Sequence, residues 1–190
     1  GDRRGEGVHL CNLGSAYHDL GQIELAIDQY TQALAIYREV GDKPNEGSAL
    51  SGLGNVYRSL GQYVKAAESI KAALAIRREI GDRQGEGNDL GNLGNVYYCL
   101  GQYVKAADSI KAALAISREI GDRQGEGNDL GNLGNAYQSL GQYDKAIASH
   151  EAALAISREI GDRKGEGIDL GNLGNAYLEL TPPDAVTAAD

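Results

Sequence analysis

The sequence repeats itself every 40 residues. A glycine-rich heptapeptide begins the chain as GDRRGEG and returns in closely related form at positions 41, 81, 121 and 161. The blocks 81–120 and 121–160 differ at 8 of 40 positions, which leaves 40 − 8 = 32 identical. A chain of this kind folds as stacked copies of one supersecondary unit, because each copy buries its apolar face against its neighbours. The period predicts a single array over 1–180 (full units 1–40, 41–80, 81–120 and 121–160, and a half unit 161–180) and a C-terminal tail at 181–190.

Each unit is predicted to contain two helices, A and B. In the third unit Leu90, Leu93 and Tyr97 recur at a spacing that fits the period of a helix and not that of a strand. Helix A of this unit is therefore expected to run from about 83 to 100. The second helix carries its apolar residues on one side, and these are Ala106, Ala107, Ile110, Ala113, Leu114 and Ile120.

The predicted helix ends carry suitable capping residues. Asp82 can cap the first turn of helix A, because its side chain can accept from backbone N–H groups that have no partner in the helix. Gly101 and Gly121 follow the two helices at the place where a left-handed residue commonly ends a helix. Pro44 falls in the first turn of its helix, where its missing N–H costs little. The sequence therefore predicts helices joined by short turns and no other element.

Composition and charge narrow the classes of function. The 190 residues include 18 Lys and Arg against 27 Asp and Glu, a net charge of −9, which is the opposite of the basic surface that binds nucleic acid. No apolar run approaches the ~20 residues of a membrane span, and the N-terminus lacks a signal peptide. Cys11 and Cys99 lie two units apart, too far for a disulfide. We expect a cytoplasmic protein with no nucleic-acid or membrane partner, and the start inside a repeated motif without Met favours a piece of a longer protein.

Residues typical of catalysis do not form a pattern. His9, His18 and His150 have no metal-ligand spacing, and no serine has a plausible His and Asp partner. The segment GEGNDLG lacks the strand and the GK[ST] ending that a phosphate-binding loop requires. We therefore predict no enzymatic activity, no cofactor and no metal. His150 replaces the isoleucine found at position 110 and is expected to pack between helices.

These residues resemble the tetratricopeptide repeat (TPR) family over 1–180. The matching positions are Leu13, Gly14, Tyr17, Ala26, Tyr30 and Ala33 in the first unit, and Leu90, Leu93, Gly94, Tyr97, Ala106, Ile110 and Ala113 in the third. The unit is 40 residues instead of the usual ~34, and the proline that usually closes helix B is absent. Longer units of this type are similar to Pins-type adaptors, kinesin light chains and bacterial TPR arrays. The resemblance implies an all-α, right-handed solenoid of nine helices that acts as a protein-interaction scaffold.

Asparagines form the candidate binding surface. Asn88, Asn92 and Asn95 fall within about 60° of one another on helix A, opposite its apolar residues. Stacked A helices would turn such stripes into a ladder on the concave face. An amide both donates and accepts, as a peptide unit does, and the resemblance implies binding of an extended peptide. The predicted peptide-binding residues are Asn12, Asn55, Arg58, Asn88, Asn92, Asn95, Tyr98, Asn128, Asn132, Asn135, Gln138, Asn172 and Asn175.

Three alternatives stay open from the sequence. The asparagines could be solvated surface copied by duplication. The glycines at one repeated position either lower the wall of a groove or leave room for the neighbouring A helix, and these are Gly91, Gly131 and Gly171. A second set of glycines is expected to let helices A and B approach closely, and these are Gly14, Gly54, Gly94, Gly134 and Gly174. The chain could instead be a module that forms homo-oligomers through its ends, because the half unit leaves Leu170, Leu173 and Tyr177 without a helix B unless the tail covers them.

Overall fold

Nine consecutive α-helices make up residues 1–180, the part of the chain that the computed structural model describes. The predicted tail at 181–190 lies outside the described residues. No strand occurs within 1–180, so the all-α prediction is confirmed. The helices are α1 Arg3–Asp19, α2 Ile23–Val40, α3 Lys43–Ser59, α4 Tyr63–Ile80, α5 Arg83–Cys99, α6 Tyr103–Ile120, α7 Arg123–Ser139, α8 Tyr143–Glu159 and α9 Arg163–Leu180.

The helices form two layers. Odd-numbered helices correspond to helix A of each unit and even-numbered helices to helix B, and every helix packs on its neighbours in sequence. Each A helix also contacts the next A helix, from α1 through α9. The A helices therefore form one continuous inner layer of a solenoid.

Capping follows the predicted chemistry. Asp82 Oδ1 accepts from the Gly85 backbone N–H at 2.9 Å and begins α5. Gly121 has φ 73° and closes α6 in the left-handed region that glycine tolerates best. Helix α5 ends at Cys99, one residue earlier than predicted, because Leu100 already forms the cap with ψ near −1°.

Close packing of helices A and B depends on glycine. A Cβ added to Gly94 would lie 2.5 Å from Cγ1 of Ile110 and 3.3 Å from the Ala106 carbonyl oxygen, so only glycine fits there. An added Cβ would come equally close to helix B at Gly54 and Gly134, and at Gly14 it would lie 3.0 Å from the Tyr30 ring, which confirms the expected role. Gly174 differs, because within residues 1–180 no helix B follows α9 and an added Cβ would meet nothing within 4 Å. Ile120 also departs from the predicted buried face, since α6 ends there and leaves it 38% exposed.

His150 occupies the packing position that Ile110 fills one unit earlier. It is completely buried against Gly134, and neither ring nitrogen has a hydrogen-bond partner within residues 1–180. Burial lowers the pKa of the imidazole, because removal from water disfavours the charged form. The predicted structural role of His150 is thus confirmed.

Arginine and glutamate pairs join successive units of the array. Glu126 of α7 accepts from Arg118 of α6 at 2.8 Å and also pairs with Arg123, which reaches on to Glu159 of α8. The hydrogen bond from Arg118 lowers the pKa of Glu126. Equivalent pairs are Arg38 with Glu46, Arg78 with Glu86, and Arg158 with Glu166. Each pair ties the end of one unit to the start of the next.

Candidate peptide-binding groove

The A helices α5, α7 and α9 enclose an open groove of about 410 Å³. Asparagine and glycine from these three helices supply most of its walls, and the last turns of α6 and α8 supply serine and isoleucine. Seven of the predicted binding residues come together here, namely Asn88, Asn92, Asn95, Asn128, Asn132, Asn135 and Asn172. The stripe predicted from the helical period is therefore one continuous surface across the third, fourth and fifth units.

A second concavity of about 300 Å³ adjoins the groove and shares Asn135 and Asn172 with it. Three further predicted residues, Tyr98, Gln138 and Asn175, line this concavity. Ser139 donates to the Tyr98 hydroxyl at 3.1 Å, which links α7 to α5 at this point. The two concavities form a continuous path along the C-terminal half of the array.

The remaining predicted residues lie elsewhere. Asn12, Asn55 and Arg58, on α1 and α3, line neither concavity. Asn12 is exposed. Asn55 Oδ1 and Arg58 Nε are buried and have no hydrogen-bond partner within residues 1–180. The groove thus covers the later units, where the asparagine stripe is densest.

The central amides of the groove are available to a ligand. Asn92, Asn95, Asn132 and Asn135 are partly exposed, and none of their side chains makes a hydrogen bond to another described residue. Each amide offers two N–H donors and one carbonyl acceptor. A peptide backbone has the complementary groups, so the surface can hold a main chain without reading its side chains.

Glycines on the groove wall have both of the roles that the sequence left open. Gly91 and Gly131 line the groove. A Cβ on Gly91 would lie 3.3 Å from Asp129 Oδ1, and a Cβ on Gly131 would lie 3.6 Å from Asp169 Oδ1. Gly91 therefore leaves room for the next A helix, whereas Gly131, where a Cβ would make an ordinary van der Waals contact, only widens the groove. Gly171 differs, because an added Cβ would meet no described atom within 4 Å.

Two buried aspartates in the groove were missed by sequence reasoning. Asp129 and Asp169 are only 8% and 6% exposed, and each accepts from a serine hydroxyl of the preceding B helix, Ser117 at 2.9 Å and Ser157 at 2.7 Å. Burial raises the pKa of Asp129 to about 6 and also raises that of Asp169. The available signal was an acid within the repeated segment DLGNLG, whose other residues are uncharged.

The groove is acidic. Its charged lining residues are Asp129, Asp162 and Asp169, and no lysine or arginine of the described chain lines it. Within residues 1–180 no group of three or more His, Cys, Asp or Glu side chains is placed to hold a metal ion. The site can therefore bind through amide hydrogen bonds and carboxylates.

Stacked helical pairs around an open groove define a helical-repeat scaffold. The chain belongs to the tetratricopeptide repeat family, whose model matches residues 5–79, 45–119, 88–159 and 128–186. This fold is generally a non-catalytic scaffold for protein–protein interaction. None of the helices in residues 1–180 is both long and apolar enough to cross a membrane.

Solved structures show the same fold. Aspartyl phosphate phosphatase F from Bacillus subtilis superimposes with a TM-score of 0.86 at 23% identity, covering 99% of this chain and 49% of that one. A putative kinesin light chain with nearly identical TPR-like repeats from Podosopora anserina gives 0.82 at 18% identity, covering 99% and 92%. A Rap protein complexed with Competence and Sporulation Factor gives 0.79 at 20% identity, covering 99% and 56%.

The chain spans about half the length of the phosphatase that it matches. At identities below 25% these likenesses concern the fold alone. A comparison with curated proteins returned no match.

Proposed function

We propose that this chain is a non-enzymatic scaffold that binds an extended segment of a partner protein in the groove formed by α5, α7 and α9. The observation that carries the proposal is the continuous row of asparagine amides on three successive A helices. The four central amides, Asn92, Asn95, Asn132 and Asn135, have no hydrogen-bond partner among the described residues.

Hydrogen bonds from several asparagine side chains explain how such a groove would hold a partner. Each hydrogen bond contributes about 0.5 to 1.5 kcal/mol net, so one asparagine alone is too weak and several must act together. Gly91 and Gly131 widen the groove and let a peptide main chain approach the helices. Specificity would then come from the residues at its ends, which include Tyr98 and Gln138.

Two further observations support the proposal. The structural relatives include a Rap protein in complex with Competence and Sporulation Factor, so a solenoid of this fold accommodates a bound factor. Cys11 and Cys99 are free thiols, and Cys99 is exposed, which fits a reducing, cytoplasmic setting.

A random-peptide display selection tests the proposal. The target is the chain itself, with a second target in which the four central asparagines are changed to alanine. A matched control changes four other amides, the exposed Gln22, Gln62, Gln102 and Gln142 in the turns between helices A and B. Enrichment of shared peptides on the parent and the control, with loss on the asparagine variant, is the expected result. Equal enrichment on all three targets would contradict a role for the asparagines.

Self-assembly is a second candidate function. Leu170 on α9 is 46% exposed, because no helix B covers this face within residues 1–180, whereas Leu90 and Leu130 at the equivalent position are 5% and 6% exposed. A second copy stacked on this face would bury it. A molecular mass in solution that rises with protein concentration would favour this function. The rise should be abolished by Leu170→Glu and unaffected by the asparagine changes. A constant monomer mass would exclude it.

A further inference from the structure

The chain contains its own example of a guanidinium held between two A helices. Arg77, in the last turn of α4, is only 11% exposed along its side chain. It donates to Asp82 Oδ2 at 2.8 Å and to Ser48 Oγ at 2.9 Å. Its Nε lies 3.8 Å from Oδ2 of the buried Asp89. The guanidinium therefore fills the space between α3 and α5 and lies beside the buried carboxylate, although Arg77 Nε and Asp89 Oδ2 make no hydrogen bond within residues 1–180.

The next two units keep this space and lose the arginine. The position of Arg77 is occupied by Ser117 in the last turn of α6 and by Ser157 in the last turn of α8, while the buried acid persists as Asp129 and Asp169. Several lining residues of the groove are equivalent, one or two units later, to the residues that surround Arg77. They are Gly87, Asn88 and Gly125 beside Asp129, and Gly127, Asn128, Asp162 and Gly165 beside Asp169.

The shorter serines leave each carboxylate half satisfied. Ser117 and Ser157 donate only to Oδ2 of their aspartates. Within residues 1–180, Oδ1 of Asp129 and Oδ1 of Asp169 have no hydrogen-bond partner, although each residue is more than nine-tenths buried. Both aspartates line the groove, so each Oδ1 can accept a hydrogen bond from a ligand.

No cation within residues 1–180 is positioned to fill these places. Arg118 and Arg123, the nearest arginines in sequence to Ser117 and Asp129, are held on Glu126, and neither lines the groove. All the charged lining residues are acidic. A cationic donor for Asp129 and Asp169 therefore has to come from the ligand.

We propose that the groove selects peptides with two arginine side chains, one entering each place that Arg77 fills in the preceding unit. The proposal rests on the proposed function and names the ligand of the same site. A guanidinium suits these places because its planar fork can donate to the free Oδ1 and to a neighbouring oxygen at once. Neighbouring helices lie about 10 Å apart and an extended chain advances about 3.3 Å per residue, so the two arginines should be about three residues apart.

The test uses the same display selection with a blocked target. Ser117→Arg combined with Ser157→Arg should fill both places from within, as Arg77 does, and helical circular dichroism and the melting temperature verify that the variant folds. A second variant, Asp129→Asn with Asp169→Asn, removes the charge at constant shape. Peptides selected on the parent are then synthesised with each arginine replaced by citrulline, which keeps the shape and removes the charge.

We expect the enriched peptides to contain paired arginines, and each citrulline to weaken binding about tenfold or more. Both protein variants should lose these peptides. Peptides without basic residues that bind the parent and the serine-to-arginine variant equally well would overturn the arginine inference and leave the peptide groove standing. Failure to select any peptide on the parent would overturn both.

Discussion

Gly91 of α5 lies directly beside Asp129 of α7, and a Cβ on the glycine would be 3.3 Å from Oδ1 of the carboxylate. One unit earlier this position is Ser51, whose hydroxyl donates to Asp89 at 2.6 Å. Gly91→Ser should therefore provide Asp129 with the donor that it lacks. The glycine at this position keeps the groove wide and leaves the aspartate half satisfied.

We expect Gly91→Ser to raise the free energy of unfolding by about 1 kcal/mol, through the new hydrogen bond and the better helix propensity of serine. It should also weaken peptide binding, because the hydroxyl occupies the ligand's place on Oδ1. Gly171→Ser is the matched control, since an added Cβ there meets no described atom within 4 Å. Urea denaturation and peptide titration of both variants check this. Equal peptide affinity of Gly91→Ser and the parent would contradict it.

Asp129 should destabilise the chain at neutral pH. Burial raises its pKa to about 6, so the folded chain holds this proton more tightly than the unfolded chain, and the free energy of unfolding falls as pH rises from about 4 to 6. Asp129→Asn should then stabilise the chain by about 2 to 3 kcal/mol at pH 7.5. The gain should shrink toward pH 4. Urea denaturation at several pH values measures it, and a gain that grows on acidification would refute the assignment.

His150 should show the opposite pH dependence. Its pKa is lowered by burial, so protonation opposes folding and the free energy of unfolding falls as pH decreases below about 6.5. Isoleucine fills the equivalent place at Ile110, against Gly94. His150→Ile should stabilise by about 1 to 3 kcal/mol at pH 7.5, because two unpartnered ring nitrogens are removed, and by more at pH 5.5. Melting curves at both pH values test this, and a smaller gain at pH 5.5 would count against it.

Glu126 should stabilise the junction between the third and fourth units. Its side chain is largely buried and contacts Arg118 and Arg123. Glu126→Gln should cost about 1 to 3 kcal/mol at pH 7. Because its folded pKa is lowered, the contribution is present above about pH 4.5 and is lost as pH falls through the folded value. Glu68→Gln, at an exposed position on α4, is the control, and equal melting temperatures of the two variants at pH 7 would contradict the prediction.

The repeat period made most of the fold predictable. Apolar spacing, the Asp82 cap and the glycine at Gly121 each point to the same pair of helices, so local and tertiary signals agree. The packing role of Gly94 was also predictable, because only a close contact between helices offsets the cost of glycine inside a helix. The end of α5 was misplaced by one residue, because a cap residue is set by backbone angles that composition does not specify.

The candidate site was predictable only in part. Helical periodicity places Asn92 and Asn132 on one face, but it does not show which units enclose a groove, and Asn12 and Asn55 lie outside it. Asp129 was missed because its burial depends on a neighbouring unit, through Ser117 and Gly91. A helical wheel of a single unit contains neither partner.

The most direct test of the peptide groove is the affinity of one display-selected peptide for the parent and for the variant with Asn92, Asn95, Asn132 and Asn135 changed to alanine, measured by calorimetry. Four lost hydrogen bonds of at least about 0.5 kcal/mol each predict a loss of affinity of about 30-fold or more. The turn-glutamine variant should bind as the parent does. Unchanged affinity in the asparagine variant would contradict the account.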